Sequence, residues 1–243
     1  MQVHYLRSSP LLAAFALLMM TVFAGCDDSQ GPGRLRAYWH LGSQTCEDSG
    51  IAHIRVHVVT DGDDVVNPVL STCDQGSTGL AIGDVPTGVR QVLVDGLDEL
   101  GVIRYEGQSG DVTIHQDQET VIPSVALGLR RASARVRWGF SNQYVCGANG
   151  VATIRLTAFD APGNLVGGPD VHPCDVPLTA DDPDGGVILS GLPANTDLTL
   201  IVLGLNVVDQ PTFGVAKAVR AGPGDTVEVP VLLDKCDAGA PCP

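Results

Sequence analysis

The sequence predicts an all-β protein built from two tandem β-sandwiches, each with one disulfide of its own. Three observations point to this class: apolar and polar residues alternate along short segments, Gly-, Asn-, Asp- and Pro-rich turns separate those segments, and rare residues recur at a spacing of 99 to 101 residues. After the first 25 residues, no segment keeps an apolar stripe at the 3.6-residue period of a helix. Short strands between such turns are typical of sandwiches, which bury two inner faces without helices.

The recurrence indicates a duplication. Three pairs of rare residues occur in the same order in both halves of the chain: Trp39 and Trp138, Cys46 and Cys146, and Cys73 and Cys174. A shared segment, C-x3-G-[IV]-A-x-I-R-[VL], begins at Cys46 and again at Cys146. The offset grows slowly along the chain, as loop insertions in one of two copies would make it, because loops absorb extra residues at small cost.

The segment after the first cysteine of each copy shows the strand pattern. The inward positions are small or aliphatic in both copies: Ala52, Ile54, Val56 and Val58, then Ala152, Ile154, Leu156 and Ala158. Successive side chains of a strand lie on opposite faces, so we expect these residues in the core. Arg55 and Arg155 occupy matched outward positions, where each is expected to pair with an acid on a neighbouring strand.

The N-terminal residues carry an export signal. Arg7 precedes an apolar run that starts at Leu11 and is too short to span a bilayer. The following Val22–Cys26 segment resembles a bacterial lipoprotein lipobox, with Phe23 in place of the usual Leu. The resemblance implies cleavage before Cys26, acylation of that cysteine with fatty acids such as palmitate, and a lipid-anchored place in the bacterial cell envelope, at the outer membrane or cell surface. Simple secretion with an unmodified Cys26 is the alternative.

These features predict the order of segments along the chain. We expect a lipoprotein signal peptide at 1–25, a lipidated cysteine with a flexible tether at 26–33, the first sandwich at 34–127, a linker at 128–133, the second sandwich at 134–234, and a cysteine-closed tail at 235–243. Loss of residues 1–25 lowers the net charge from −14 to −15. An acidic surface argues against nucleic acid as a partner and against attraction to anionic lipid, which leaves the acyl chains as the expected bilayer contact.

Six cysteines remain after Cys26, and an exported chain meets an oxidising compartment. Six cysteines allow fifteen pairings, and copies that fold separately favour pairing within each copy. We therefore expect three disulfides: Cys46–Cys73, Cys146–Cys174 and Cys236–Cys242. No C-x2-C or Cys-His pair stands at the spacing of a zinc site.

The second copy resembles the carboxypeptidase-regulatory-like, transthyretin-like sandwich family. The resemblance rests on Asp184–Leu200, which follows the pattern D-x-x-G-x-F-x-[IL]-x-x-L-P-x-G-x-Y-x-L with Asp197 near the usual Tyr, and on the strand ending at Val229. The first copy keeps less of the pattern, chiefly around Gly83–Gly88. The resemblance implies an Ig-like, non-catalytic accessory fold and transfers no active site. Fibronectin type III is the alternative sandwich.

Few residues suggest chemistry. His53 and His57 lie four apart on a strand, too far apart to share one ion, and are expected to be solvated. Trp39 and Trp138 are expected to pack the core against the disulfides. Calcium prefers carboxylate oxygens, so two acidic turns are weak candidates for a calcium site: Asp61, Asp63 and Asp64, and Asp181, Asp182 and Asp184. Neither turn has the EF-hand register, and no cofactor or catalytic residue is expected.

The sequence therefore favours a membrane-anchored, non-catalytic envelope lipoprotein that presents two sandwiches for protein binding or assembly. Its bilayer contact would be acylated Cys26, and its envelope protein partner is not identified by the sequence. An open edge strand is the expected contact with that partner. The alternatives are an accessory to an envelope hydrolase, a carbohydrate- or calcium-binding module, and a structural spacer.

Overall fold

The computed structural model describes residues 31–175, 185–237 and 241–243. The expected signal peptide, Cys26 and the acids Asp181, Asp182 and Asp184 lie outside the described residues. Within the described ranges, no helix is both long and apolar enough to cross a membrane.

The described chain is almost entirely β. The strands of the first half are β1 (Gly33–Ala37), β2 (Trp39–His40), β3 (His53–Thr60), β4 (Asp63–Asp64), β5 (Val69–Thr72), β6 (Leu80–Val85), β7 (Gly88–Leu97), β8 (Ile103–Gln108), β9 (Val112–Ile114), β10 (Glu119–Val121), β11 (Val125–Ala126) and β12 (Gly128–Leu129). Those of the second half are β13 (Ala132–Phe140), β14 (Thr153–Asp160), β15 (Leu165–Pro173), β16 (Val187–Leu192), β17 (Leu198–Leu205), β18 (Pro211–Val219) and β19 (Thr226–Lys235). One short helix, α1 (Cys46–Ser49), and two 3-10 turns (Cys73–Ser77 and Gly147–Asn149) complete the elements.

Strand pairing in the first sandwich produces two facing sheets. One sheet has the order β12-β8-β7-β3-β4, with β5 also paired to β3 and β9 to β7. The other has β1 between β6, which is antiparallel to it, and β10, which is parallel to it. Strand β2 continues this side of the sandwich by pairing in parallel with β11.

The second sandwich repeats this pairing. Strand β14 lies between β15 and β17, and β17 pairs with β18, as β3 lies between β5 and β7 and β7 pairs with β8. Strand β13 lies between antiparallel β16 and parallel β19, as β1 lies between β6 and β10. A short β18–β19 pairing joins the two sides into one sheet, in the order β15-β14-β17-β18-β19-β13-β16.

Each sandwich encloses its own core. The first core includes Ile54, Val56 and Val58, and the second includes Ile154 and Leu156, all at the inward positions expected from the alternation. A disulfide adjoins each core, Cys46–Cys73 in the first sandwich and Cys146–Cys174 in the second, with Cα atoms 5.9 Å apart in both. The predicted all-β sandwich class, with one disulfide inside each sandwich, is confirmed.

The strands extend into the segment expected as a linker. Gly128 and Leu129 form β12 opposite Glu106 and Tyr105 of β8, and β13 starts at Ala132. Only residues 130 and 131 of that segment therefore lie between strands. At the C-terminal side, Lys235 is the last residue of β19, and Cys236 is bonded to Cys242.

Candidate functional site

The two tryptophans support the disulfides from inside the core. Trp39 is 4% exposed and Trp138 is 8% exposed, so neither forms a sugar-stacking platform. Each indole Nε1 donates a hydrogen bond, 3.0 Å long, to the backbone carbonyl of the second cysteine in its own disulfide, Cys73 or Cys174. The recurring Trp–Cys–Cys pattern is therefore a structural unit that fixes one end of each sandwich.

The acidic turn after β3 does not gather a metal site. Asp61 has a positive φ of 53° at the corner, and Asp63 and Asp64 form the short strand β4. Asp64 is engaged by His57, whose Nδ1 lies 3.0 Å from its Oδ1. In the described ranges, no group of three or more His, Cys, Asp or Glu residues could hold a metal ion.

A charged cluster covers the outer face of the first sandwich. Arg55 donates from Nη2 to Asp95 Oδ2 at 2.8 Å, which is the cross-strand ion pair expected for this arginine. His57 was expected to be solvated, but its side chain is only 19% exposed, with Nδ1 beside Asp64 and Nε2 3.3 Å from Asp95 Oδ2. Each ring nitrogen of His57 therefore lies beside a carboxylate oxygen from a different strand.

The second sandwich lacks this cluster. Arg155 lies opposite Leu203 and Val171 on its two neighbouring strands, so the acid partner expected for it is absent from the described residues. Thr157 takes the place of His57, and Pro243 approaches Gly214 on the strand beside Leu203. In the described residues the charged cluster is therefore found in the first sandwich, where it links β3, β4 and β7.

Arg104 forms polar contacts with both sandwiches. Its Nε donates to Asp98 Oδ2 at 2.8 Å within the first sandwich. Its Nη1 donates to the Pro223 carbonyl at 2.9 Å and also pairs with the Asp225 carboxylate, both in the second sandwich. Hydrogen bonds to Asp98 and then to Asp225 raise the pKa of Arg104 above its usual value. Two acids from different sandwiches therefore share one permanently charged guanidinium.

Asp98 is held in its ionised form by the turn that it belongs to. The Val102 backbone N–H, followed by the Arg104 side chain, lowers the pKa of Asp98 below its ordinary value. The Asp98 Oδ1 atom also accepts a 2.9 Å hydrogen bond from the Leu100 N–H. Asp98 thus shapes the β7–β8 turn and presents Arg104 to the second sandwich.

Backbone contacts complete this junction. The Arg130 N–H donates to the Arg104 carbonyl and the Ser133 N–H donates to the Asp225 carbonyl, both at 2.9 Å. Gly224 has a positive φ of 72°, and a Cβ atom there would clash with the carbonyl oxygen of Ile103. The close approach requires glycine at this turn.

The junction arranges the sandwiches in series. It joins the disulfide end of the first sandwich, where β7 ends and β8 begins, to the end of the second sandwich where β13 and β19 begin. Strand β13 then runs for nine residues, about 30 Å at 3.3 Å per residue, away from the junction. The disulfide end of the second sandwich is therefore its far end. We call residues 141–150 and 206–210, which lie there, the distal loops.

The distal loops expose large apolar side chains. Four of these side chains are mostly solvent-accessible: Tyr144 (65%), Val145 (74%), Val207 (87%) and Val208 (65%). Hydrogen bonds within the loops hold their backbone in place. Asn206 Oδ1 accepts from the N–H groups of Val208 and Gln210 at 3.0 Å, and Asn149 Nδ2 donates to the Tyr144 carbonyl at 3.2 Å. An apolar surface on a braced backbone is typical of a contact site.

The strand edges are less suited to binding than the sequence suggested. The Cys174 N–H donates to the Ala152 carbonyl beside β14. Backbone groups of successive strand residues point to opposite sides, so those of Pro169 and Pro173 point away from β14, towards the outer edge of β15. Pro68 stands at the same edge position of the first sandwich, before β5. Proline offers no N–H to an added strand, so these edges resist strand addition.

The edges on the other side carry interruptions. Asp84 near the end of β6 and Gly191 near the end of β16 have positive φ angles of 53° and 76°, at points where pairing with β1 and β13 shifts register. Bulges of this kind turn an edge strand away from further pairing. The distal loops are therefore the stronger candidate for a contact surface than the edges.

Comparison with known proteins shows distant structural likeness only. No protein-family model matches the chain, and no curated protein matches it. The solved structures to which it is similar include the TIE protein of Bacillus anthracis, with 11% identity and a TM-score of 0.29; the match covers 85% of this chain and 34% of that protein, so this chain spans about a third of its length.

Two further structures are similar over most of their own length. A fimbrial anchor protein of Porphyromonas gingivalis matches with 11% identity and a TM-score of 0.31 over 76% of this chain and 82% of that one. A shaft pilin of Lactobacillus rhamnosus matches with 9% identity and a TM-score of 0.30 over 85% of this chain and 98% of that one.

Proposed function

We propose that this protein is an exported, lipid-anchored envelope protein that holds a non-catalytic binding surface away from the membrane. Acylated Cys26 would provide the anchor, residues 27–33 the tether, and the two sandwiches a mount for the distal loops. The observation that carries the proposal is the Arg104 junction, which joins the sandwiches in series and leaves the apolar distal loops at the end farthest from the N-terminal residues.

The placement of the first strand supports the direction of display. Strand β1 begins at Gly33, close to His115 and opposite Val85, at the end of the first sandwich away from its disulfide. A lipid on Cys26 would hold that end near the membrane. The distal loops would then face away from the membrane, at a distance from it of about the length of both sandwiches.

The motif resemblance supports a transthyretin-like origin for both sandwiches. The segment Gly191–Pro193 contains the end of β16 and leads into the turn before β17. Gly191 has a positive φ, which glycine adopts without steric cost. Asp84 adopts a positive φ at the matching place before Pro86. A shared turn geometry in both copies is consistent with descent from one accessory domain.

Anchoring is tested by replacing the acylated cysteine. We expect the full chain, expressed with its own N-terminal residues in a bacterium that processes lipoproteins, to incorporate labelled palmitate and to enter the detergent phase on Triton X-114 partition. The Cys26→Ser variant should lose both properties, whereas Ser29→Ala in the tether should keep both. Equal partition of Cys26→Ser and the unmodified chain would contradict the proposal.

A further inference from the structure

We infer that the distal loops dock onto a protein partner that offers an apolar socket bordered by Lys or Arg side chains. The inference rests on the proposed display role, and it specifies the chemistry of the partner that the display would serve. Three observations carry it: the apolar side chains, the charge around them, and the use of the same end of the first sandwich.

The apolar side chains come from two loops at one end of the fold. Val207 and Val208 occupy the turn between β17 and β18, and the adjoining Leu205 carbonyl accepts a 2.8 Å hydrogen bond from Ala152. The Cys146 carbonyl accepts from the Val151 N–H, so the loop that contains Tyr144 and Val145 leads into the start of β14, which pairs with the end of β17 at Leu205. Aromatic and aliphatic groups on an ordered backbone lose little conformational entropy on binding, and tyrosine is a frequent anchor in protein interfaces.

The charge at this end is negative. Among the residues that the structure describes at this end, one exposed cation, Lys235, accompanies three exposed acids: Asp175, Asp209 and Asp234. An acidic border disfavours insertion of the loops into anionic lipid, because the charges repel. It favours a partner surface that carries Lys or Arg, whose opposite charge steers association and fixes orientation.

The matching end of the first sandwich already contacts another β-sandwich. Asp98 and Asn206 occupy the same place in their copies, and each accepts backbone N–H groups two and four residues further on. In the first sandwich this turn presents an acid to Arg104 and through it reaches Asp225 of the second sandwich. This end of the first copy therefore contacts another β-sandwich, and the equivalent turn of the second copy contains Val207 and Val208, which are 87% and 65% exposed.

Site-specific photo-crosslinking in the producing cells tests the inference. A benzophenone amino acid placed at Val207 should form an adduct with a protein, and one placed at Leu165 should not. Leu165 is 53% exposed but begins β15 at the junction end of the same sandwich, so it controls for chance capture by an apolar surface. Mass mapping should place the adduct beside apolar residues on a partner surface that also presents Lys or Arg around them, as the polar rim of an interface does.

A loop variant separates docking from proximity. With the crosslinker at Tyr144, the V207D/V208D double variant should lower adduct yield at least tenfold, whereas V207I/V208I should retain it. Equal yields at Val207 and Leu165, an adduct with lipid, an adduct with a second copy of this chain, or a mapped segment without basic residues would each overturn the inference. Detergent partition of the same cells reports anchoring separately. If the chain is anchored but forms no adduct, this inference fails and the proposed function stands. If the chain is not anchored, the proposed function alone is refuted.

Discussion

Trp39 and Trp138 show at the scale of single residues why the duplication can be read from the sequence. Each stands before the first cysteine of its copy, and each indole binds the carbonyl of the second cysteine. A large apolar side chain with one donor is restricted to buried sites that supply one acceptor. Retention of both tryptophans therefore implies retention of both disulfide ends, which is why their core positions could be predicted.

We expect Trp39→Phe and Trp138→Phe to lower the free energy of unfolding by about 1–3 kcal/mol each, because each leaves a buried carbonyl without its donor. Urea denaturation followed by circular dichroism measures the change. Tyr144→Phe removes a hydroxyl from an exposed ring and should change stability by less than about 0.5 kcal/mol. Tryptophan variants as stable as Tyr144→Phe would show that the indole hydrogen bonds contribute little.

Arg55 and Arg155 mark the limit of sequence reasoning at this scale. Alternation correctly placed both on the outer face, but pairing depends on the register of the next strand, which alternation does not determine. The register sets Asp95 beside Arg55 and Leu203 beside Arg155, so only one arginine gains its acid. His57 was misjudged for the same reason, because its partner Asp64 is brought back by the β3–β4 turn.

At the scale of elements, the shared C-x3-G segment encodes one short turn in two forms. Cys46–Ser49 forms α1 and Gly147–Asn149 forms a 3-10 turn, and both end on a glycine with a positive φ: 68° at Gly50 and 66° at Gly150. That conformation is costly for a residue with a Cβ. The spacing predicted the disulfide ends but not these helical turns, which are too short to show a period.

We expect Gly50→Ala and Gly150→Ala to destabilise the protein by about 1–2 kcal/mol each through backbone strain. Thermal unfolding followed by circular dichroism measures this loss. Gly147→Ala is the matched control, because Gly147 has an ordinary φ and open space around its Cβ position. If Gly147→Ala costs as much as Gly150→Ala, the loss comes from something other than the left-handed conformation.

Short strands were the elements that the sequence could not resolve. β12 contains only Gly128 and Leu129, and its existence depends on pairing with Glu106 and Tyr105 about 23 residues earlier. Two residues carry no periodic signal, so the segment resembled a linker. Of the segment expected as a linker, Arg130 and Arg131 are the part that does lie between strands.

At the scale of the whole molecule, the joint between sandwiches is the feature that sequence reasoning missed. Asp98 lies only six residues before Arg104, but Asp225 lies 121 residues after it, and Thr212 stands where the second copy would have its equivalent of Arg104. The sequence feature that could have pointed to the joint is that Asp98 and Asn206 occupy the same position in the aligned turns of the two copies. The duplication therefore predicted two sandwiches but not the contacts that join them.

We expect the stability that Arg104 contributes through Asp98 to be lost in acid. The pKa of Asp98 is lowered in the folded protein, so its contribution is present above the unfolded aspartate pKa of about 3.9 and disappears as pH falls through the lower folded value. The difference in melting temperature between the unmodified chain and Arg104→Ala, measured by calorimetry, should be constant from pH 7 to 5 and should shrink as the pH falls below the unfolded aspartate pKa.

Arg220→Ala provides the control for this measurement. Arg220 pairs with exposed Asp197 at 3.3 Å, and both residues belong to the second sandwich. Its removal should alter melting little at any pH, as expected for an exposed ion pair. An Arg104→Ala difference that persists unchanged at pH 2 would mean that the guanidinium does not act through the two carboxylates.

The serial arrangement is tested most directly by the distance between the two ends of the described chain. Spin labels attached through non-natural amino acids at Gln116, in the β9–β10 turn, and at Val207 leave all six disulfide cysteines untouched. Pulsed electron double resonance on the purified protein should give one narrow distribution centred well above about 30 Å, the length of a single sandwich. A centre below that length, or a broad distribution that Arg104→Ala leaves unchanged, would contradict a fixed joint that carries the distal loops away from the N-terminal end.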